Sequence, residues 1–269
     1  MEKVKLVIWD LDETFWKGTL SEEGVVPINA NIELVKILSE RGIINSIVSK
    51  NNFADAEEKL KELGVWQYFV FPIIDWIPKG GAITSIIESC QLRDVNVLFL
   101  DDNHLNLKEA QFYNSNLNVH MPDFISEILE HNSFKGKDDS ELSRLKQYKI
   151  LEKKYEASLK FDNNLSFLRE SQIKVNLISD NLNKYLNRIL EILERTNQLN
   201  YTKVRSNKEE VIQLLNNQNY ISGIVRVSDK FGDYGIVGFF SFDIAKNLFL
   251  HFSFSCRIIN LAVPQYIYS

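Results

Sequence analysis

Two aspartates end the first apolar segment of the chain. Val7-Ile8-Trp9 leads directly into Asp10, and Asp12 follows two residues later. Two carboxylates so close together repel each other, and burying them is costly unless a cation or a proton compensates. Oxygen ligands without a nearby His or Cys favour Mg²⁺, which binds a few carboxylates, water and phosphate oxygens. An isolated Asp-x-Asp is also common as a turn after a strand, so this pair needs support from elsewhere in the chain.

A second pair of acids follows another apolar segment. Leu98-Phe99-Leu100 leads into Asp101 and Asp102. Open parallel sheets bind ligands at the carboxyl ends of their strands, so the two acid pairs would meet if both segments belong to one sheet. The recurrence of the pattern favours a metal site over two unrelated turns.

Two further polar residues are candidates for binding an anion. Ser49 ends the apolar segment Ile47-Val48, and Lys79 lies where a helix is expected to begin. A hydroxyl and an ammonium both donate hydrogen bonds to phosphate oxygens. Taken singly, Ser49 is better explained as a helix cap and Lys79 as a solvated side chain, because these are the commonest roles of the two residue types.

A parallel sheet would bring these residues together, and the sequence from Lys5 to Asp123 predicts one. Short apolar runs alternate there with segments of helical period, the pattern of strands joined by crossover helices. The predicted strands are Leu6–Trp9, Ile43–Val48, Tyr68–Ile74, Val97–Leu100 and Leu117–His120. The predicted helices lie near residues 31–41, 53–63, 80–90 and 104–113, with Gly42 and Gly64 ending the first two. We therefore predict an α/β fold with a Rossmann-like parallel sheet.

The composition narrows the choice of partners. The chain has 269 residues, 45% hydrophobic and 25% charged, which is typical of a globular protein of two domains. Its net charge of -5 argues against general electrostatic binding to nucleic acid or anionic lipid, so we expect small molecules or proteins as partners. Cys90 and Cys256 form no disulfide framework, and Asp10 interrupts the N-terminal apolar run, so we expect a cytoplasmic protein without a membrane span.

The second half of the chain has a different pattern. Residues 131–140 are polar and aperiodic, so we place a domain boundary there. The predicted division is a first domain at 1–130, a linker and connecting helix at 131–165, and an α+β domain at 166–269. Apolar spacing predicts the connecting helix from Leu142 to Leu159 and another helix from Ile178 to Leu193. Aromatic and β-branched runs predict antiparallel strands at Ile221–Val227, Gly235–Asp243 and Leu248–Cys256.

The order of the polar strand ends resembles a known superfamily. Four motifs occur in sequence: Asp10-x-Asp12-x-Thr14, Ser49, Lys79 and Asp101-Asp102. Together they resemble the haloacid dehalogenase-like (HAD) hydrolases over roughly the first 125 residues. The segments Asp-Leu-Asp-Glu-Thr-Phe-Trp-Lys-Gly-Thr-Leu and Leu-Asp-Asp-Asn-His-Leu-Asn-Leu-Lys-Glu-Ala are similar to the FkbH-like branch, subfamily IIIC. Glu13 departs from that branch, which usually has Asn or Asp there.

The resemblance implies a role for each matched residue. Asp10 would be the nucleophile that forms an aspartyl-phosphate, and Asp12 the general acid and base, with its backbone carbonyl on the metal. Ser49 and Lys79 would bind the transferring phosphoryl group. Asp10 and Asp102, supported by Asp101, would hold Mg²⁺. The implied activity is that of a phosphatase or phosphotransferase on a small phosphorylated substrate.

The C-terminal half carries a second resemblance. Three segments look like the GNAT-like domain of FkbH-like proteins: Arg195-Thr196-Asn197-Gln198-Leu199-Asn200-Tyr201-Thr202, Asp229–Gly238 and Ser255-Cys256-Arg257. The family's second domain continues through another helix and further strands, so the resemblance implies that this domain is abbreviated or cut short. Members of the family dephosphorylate 1,3-bisphosphoglycerate and load the glyceryl group on an acyl carrier protein.

Three functions follow as hypotheses. The first is such a glyceryl transferase and phosphatase, in which Cys256 would be a covalent acyl relay because a thiolate is the usual protein nucleophile in thioester exchange. The second is a plain HAD phosphatase acting on a small phosphate monoester. The third is a noncatalytic partner of a carrier protein. Cys256 is also readily explained as a buried, inert cysteine.

Overall fold

A computed structural model of the chain describes residues 1–22, 24–196 and 199–268. Its contacts divide the chain into two compact units, Met1–Glu152 and Lys153–Ser269. Two residues of the quoted C-terminal motif, Asn197 and Gln198, lie outside the described residues. No helix in the described ranges is both long enough and apolar enough to cross a membrane.

The described residues of the first unit form seven strands and the helices between them. The strands are β1 (Leu6–Trp9), β2 (Trp16–Lys17), β3 (Val26–Pro27), β4 (Ile44–Ser49), β5 (Ile73–Ile74), β6 (Val97–Leu100) and β7 (Asn118–His120). The helices are α1 (Asn29–Glu40), α2 (Phe53–Glu62), α3 (Lys79–Ser89), α4 (His104–Tyr113) and α5 (Ser143–Ser158), the last of which contains the division point. The short strands β2 and β3 form a separate antiparallel pair.

Five strands form one parallel sheet in the order β5-β4-β1-β6-β7. Strands β1 and β6 lie at its centre and are buried over their whole length. Their side chains alternate between two hydrophobic cores, since Val7 and Trp9 pack in one and Leu6 and Ile8 in the other. Burial on both faces explains why these strands are continuous apolar runs. The prediction of an α/β fold with a Rossmann-like parallel sheet is therefore confirmed.

One predicted strand of this sheet is much shorter than expected. The segment Tyr68–Ile74 contributes only β5, because Trp66–Tyr68 forms a 3₁₀ turn and Phe69 makes an isolated bridge with Asn45. The glycines expected to end helices behave as predicted. Gly42 and Gly64 follow the last residues of α1 and α2 with φ of 66° and 68°, the left-handed region that favours glycine.

The polar segment 131–140 packs with the first unit. Phe134 is fully buried in the first core, and Ser133 accepts a hydrogen bond from Val4 N at 3.0 Å through its backbone oxygen. Farther along, Leu145 and Tyr148 of α5 pack into the second core of the same unit. The division between Glu152 and Lys153 lies within the predicted linker and connecting helix, 131–165, and scattered apolar side chains anchor the first part of that segment to the first unit.

The second unit is an antiparallel sheet with helices. Its strands are β8 (Lys174–Ile178), β9 (Tyr220–Asp229), β10 (Gly232–Asp243) and β11 (Leu248–Phe254), in the order β11-β10-β9-β8. Its helices are α6 (Asn164–Glu170), α7 (Leu186–Arg195), α8 (Lys208–Leu215) and α9 (Val263–Tyr268). Ile189 and Leu193 of α7 pack with Val211, Ile224 and Phe239 in a core of this unit. The α+β prediction for this half agrees with the observed elements.

Two local predictions for this unit are wrong. Ile178 ends strand β8, and the helix expected from Ile178 begins only at Leu186, after a 3₁₀ turn at Leu182–Tyr185. The left-handed Asn181 (φ 51°) separates strand from turn. Cys256 lies outside β11, which ends at Phe254, and begins a 3₁₀ turn.

Candidate active site

The site begins where the chain order of the sheet reverses. The chain runs outward from β1 to β4 and β5 on one side, then returns to place β6 and β7 on the other. Trp9 and Leu100 are paired across β1 and β6, and Asp10 N donates to Leu100 O at 2.9 Å. Asp10 and Asp101, the residues that follow these strands, are therefore neighbours. Such a reversal leaves a crevice at the carboxyl ends of the strands, where open α/β sheets bind ligands.

Lys79 joins the two carboxylates. Its Nζ lies 2.6 Å from Asp10 Oδ1 and 2.6 Å from Asp101 Oδ2. Ser49 Oγ, at the end of β4, donates to the same oxygen of Asp10 at 2.9 Å. All four residues are at least 95% buried. Buried charges are stable only when paired, and here one ammonium pairs with two carboxylates from different strands, which leaves one negative charge uncompensated when both are ionised.

Three carboxylates are placed so that they could hold a metal ion. Asp10, Asp101 and the exposed Asp102 each offer an oxygen, and the three oxygens lie within 4.8 Å of one another. Asp102 N donates to Thr14 Oγ1 at 3.1 Å, which ties this end of β6 to the loop after β1. An oxygen-only set of carboxylates fits a hard divalent cation such as Mg²⁺. The residues of the predicted metal site are thus brought together, except for the side chain of Asp12.

The carboxylate of Asp12 has its own set of donors. Trp16 Nε1 donates to Asp12 Oδ1 at 2.8 Å, Leu20 N donates to the same oxygen at 3.2 Å, and Asn51 Nδ2 donates to Oδ2 at 3.0 Å. Asn51 Nδ2 also donates to Ser49 Oγ at 3.2 Å. Through Asn51, Asp12 is therefore linked to the serine that contacts Asp10. These bonds fix the orientation of the Asp12 carboxylate beside the cluster, and the expected metal contact of Asp12 involves only its backbone carbonyl.

Burial and charge shift the pKa values of these groups. Burial raises the pKa of Asp10 to about 6, although the attraction of Lys79 opposes this shift. Burial alone would lower the pKa of Lys79, but Asp10 and Asp101 together outweigh it and leave the pKa above its ordinary value. Burial, followed by repulsion from Asp101, raises the pKa of Asp102. Lys79 therefore stays an ammonium at neutral pH, and Asp10 is a carboxylate there.

Two asparagines belong to the site although the sequence analysis did not single them out. Asn51 connects Asp12 with Ser49, as described above, and Asn106 Nδ2 donates to both oxygens of Asp101 at 3.0 and 3.1 Å. Asn106 lies in the first turn of α4, five residues after Asp101. That spacing is the signal that could have identified it, because a side chain in the first turn of a helix lies close to the strand end that precedes it.

The loop after β1 is fixed from outside the site. Asn31 in α1 donates through Nδ2 to the backbone oxygens of Thr14 and Phe15 at 3.1 and 3.0 Å. Glu13 has a φ of 54°, a left-handed conformation that Asn and Asp adopt at lower cost than Glu. Asp10 and Asp12 are thus held on a loop whose backbone bonds are satisfied by a buried side chain.

The three C-terminal segments singled out in the sequence lie side by side in the second unit. Asn200 forms a bridge with Ser253 of β11, and Gly238 of β10 pairs with Phe254 on the other side of that strand. Arg257 Nη1 donates to Tyr234 O at 3.4 Å. Cys256 is half-buried, and burial raises the pKa of its thiol, which disfavours the thiolate.

Comparisons with known proteins find similar solved structures but no matching family. No family model and no curated protein match the chain. One similar structure is the N-terminal part of a Bacteroides fragilis protein, containing a phosphatase domain complexed with Mg, at 24% identity and a TM-score of 0.44. That alignment covers 52% of this chain and 42% of the other, so the chain spans less than half of that neighbour.

Two other similar structures are bacterial sugar-phosphate phosphatases. The cobalt-bound deoxy-D-mannose-octulosonate 8-phosphate phosphatase from Haemophilus influenzae is 16% identical, with a TM-score of 0.37, 62% of this chain covered and 97% of the other. The corresponding enzyme from Moraxella catarrhalis, in complex with magnesium, phosphate and KDO, is 15% identical, with a TM-score of 0.34 and coverages of 59% and 93%.

Proposed function

We propose that the first unit is a Mg²⁺-dependent phosphatase or phosphotransferase of the HAD type. The observation that carries this proposal is the convergence of Asp10, Ser49, Lys79 and Asp101 at 2.6–2.9 Å contacts where the strand order reverses. Catalysis of phosphoryl transfer depends mainly on positioning the reacting groups and stabilising their charge. This site supplies the groups for that: a carboxylate nucleophile, a buried ammonium, a hydroxyl donor and a further pair of acids.

Each residue has a defined part in the proposed reaction. Asp10 attacks phosphorus, so that a bond from its carboxylate oxygen to phosphorus forms while the bond to the leaving oxygen breaks. Ser49 and Lys79 both donate to Oδ1 of Asp10, so we assign the attack to Oδ2 and the binding of phosphoryl oxygens to these two donors. Asp12 protonates the leaving oxygen and later takes a proton from the water that hydrolyses the aspartyl-phosphate.

The metal would be held by Asp10, Asp102 and the backbone carbonyl of Asp12, with Asp101 in support. Bound Mg²⁺ neutralises charge on the phosphate oxygens. Asp101 itself is engaged by Lys79, by Asn106 and by Asn103 N at 2.8 Å. These bonds fix the orientation of Asp101, which in turn positions Lys79 against the phosphoryl group.

The test is phosphate release from a simple phosphate ester with and without Mg²⁺. Asp10→Asn removes the nucleophile and should lower turnover by about 10⁴-fold, the size of effect seen when a central member of a catalytic unit is lost. Asp55→Asn, an exposed acid in the first turn of α2, is the matched control and should retain full activity. Trapping with hydroxylamine should detect an acyl-phosphate on the parent only. Phosphate release that survives Asp10→Asn would overturn the proposal.

The narrower proposal is glyceryl transfer, in which the donor is 1,3-bisphosphoglycerate and the acceptor is an acyl carrier protein. Its support is the resemblance of the three C-terminal segments to the GNAT-like domain of FkbH-like proteins, together with their adjacency around β11. The first unit would hydrolyse the 3-phosphate ester, and the thiolate of Cys256 would attack the acyl-phosphate carbonyl, forming a thioester and releasing the 1-phosphate. The acyl group would then pass to the carrier thiol, which regenerates the cysteine. Because burial raises the pKa of this thiol, the role requires a base to remove its proton.

Intact mass of carrier proteins incubated with the enzyme, Mg²⁺ and 1,3-bisphosphoglycerate separates the candidates. A glyceryl adduct that is lost in Cys256→Ser supports transfer through the cysteine. Phosphate release without an adduct supports a plain phosphatase of small phosphate monoesters. Carrier binding with neither activity supports the noncatalytic role.

A further inference from the structure

Large apolar side chains are exposed on the loops around the acid cluster. Trp76 is 68% exposed and Ile77 is 40% exposed, both in the loop between β5 and α3. Leu105, in the first turn of α4, is 73% exposed. Single exposed apolar residues are ordinary on a protein surface, but several beside one polar site are typical of a binding surface.

These side chains lie close to the proposed phosphate site. Trp76 precedes Lys79 by three residues, and Leu105 follows Asp102 by three residues. Three residues span at most about 11 Å, so each apolar side chain is attached within that distance of a site residue. The Trp76 loop is also tethered, since Asp75 N donates to Ser49 O at 3.1 Å and Trp76 N donates to Asp75 Oδ1 at 2.7 Å.

The hydrophobic cores do not explain these residues. Helix α3 is anchored by Ala82, Ile83 and Ile86, which are buried in the core, and α4 is anchored by Leu107 and Ala110. Trp76, Ile77 and Leu105 contribute to neither buried core. Apolar surface left in water is unfavourable, so covering these side chains with a ligand would be favourable.

We propose that Trp76, Ile77 and Leu105 form the leaving-group subsite of the phosphatase, and that its substrates are phosphate esters of alcohols with an aromatic or extended apolar body. This inference rests on the proposed phosphatase function. The charged cluster of Asp10, Lys79 and Asp102 binds the phosphoryl end, and the apolar rim contacts the body of the alcohol. A ligand site that combines a few polar groups with apolar and aromatic contacts is the usual arrangement for small molecules.

A pair of esters with similar leaving groups tests the subsite. We would compare kcat/KM for 2-phenylethyl phosphate and ethyl phosphate with Mg²⁺, because both release simple primary alcohols and differ mainly in the apolar body. The parent should prefer the phenylethyl ester by about tenfold or more, in line with the discrimination that an apolar pocket gives. In Trp76→Ala this preference should fall about tenfold, mainly through a higher KM, and Trp76→Phe should restore most of it.

Phe112→Ala is the matched control. Phe112 is 85% exposed and lies on the same helix as Leu105, about 10 Å farther along its axis. The Phe112→Ala variant should keep the parent's preference for the phenylethyl ester. A parent preference near one, or an equal loss of preference in Trp76→Ala and Phe112→Ala, would overturn the inference while leaving the phosphatase proposal intact. Hydrolysis of neither ester by the parent would overturn both.

Discussion

The two units differ in how their sheets gather polar side chains. In the parallel sheet of the first unit, β1, β4 and β6 all end at one edge, so Asp10, Ser49 and Asp101 meet although up to 91 residues separate them. In the antiparallel sheet of the second unit, neighbouring strands end at opposite edges. Among its described polar contacts, some are local, as when Tyr234 Oη donates to Asp229 Oδ2 at 2.5 Å within one hairpin, and others join distant pairs, such as Arg188 Nε with Ile236 O at 3.0 Å.

Their buried polar groups differ as well. In the first unit, the buried Asp10, Ser49, Lys79 and Asp101 satisfy one another. In the second unit, His251 Nε2 contacts Ser206 Oγ at 3.2 Å, but His251 Nδ1 and Ser253 Oγ have no hydrogen-bond partner among the described residues. In the first unit, parallel strands therefore bring distant polar residues into one connected cluster, and this is why we place the phosphoryl chemistry there.

The largest effect should come from removing the cation that joins the two carboxylates. Lys79→Met leaves Asp10 and Asp101 buried without their partner, which should lower the free energy of unfolding by about 3–5 kcal/mol without metal. Turnover should fall about 10³-fold, since a donor to the transferring group is lost. Chemical denaturation and phosphate release measure the two effects.

Lys59→Met is the control for that substitution, because Lys59 pairs with Glu62 on the exposed face of α2. An exposed pair contributes at most about 1 kcal/mol. Equal destabilisation by the two substitutions would show that the buried bridge contributes no more to stability than an exposed ion pair. The buried polar cluster would then not distinguish the first unit from the second.

Magnesium affinity should depend on pH through Asp10. The pKa of Asp10 is raised by burial to about 6 from an ordinary 3.8, so the folded protein holds a proton in this interval that the unfolded chain releases. Without metal, stability should therefore decrease as the pH rises from about 4 to about 6. Since Mg²⁺ binds the ionised carboxylate, its Kd should rise about tenfold per pH unit below pH 6, measured by calorimetry. A Kd that is constant from about pH 5 to about pH 7 would contradict the assignment of Asp10 as a ligand.

The smallest effects come from a matched pair of buried serines. Ser49→Ala removes a donor to Asp10 and should reduce turnover about tenfold and stability by about 1 kcal/mol. Ser253→Ala removes a hydroxyl without a partner among the described residues, so stability should be unchanged or higher by up to about 1 kcal/mol. Thermal unfolding and phosphate release compare them, and a larger loss from Ser253→Ala would reverse the contrast.

The sequence predicted the central strands better than the peripheral ones. Strands β1 and β6 were predicted with their observed bounds because their buried, continuous apolar runs stop abruptly at acids. Strand β8 was missed because it is short, all five of its side chains are exposed or half-buried, and its last residue, Ile178, also fits the apolar spacing of the helix that was predicted from it. Its position is fixed by pairing with β9, from Lys174 with Ser228 to Ile178 with Ile224, and no local pattern shows that pairing.

The sequence by itself determined which reactive groups are available. Acids directly follow two apolar strands, a serine ends a third apolar strand, and a lysine begins a helix. These are local features, because burial and charge are properties of each segment. Only the tertiary structure decided that Lys79 bridges Asp10 and Asp101, and that Trp16 and Asn51 hold Asp12. Those contacts depend on which strands are neighbours and in what register, and such long-range pairing is set by the packing of the whole sheet.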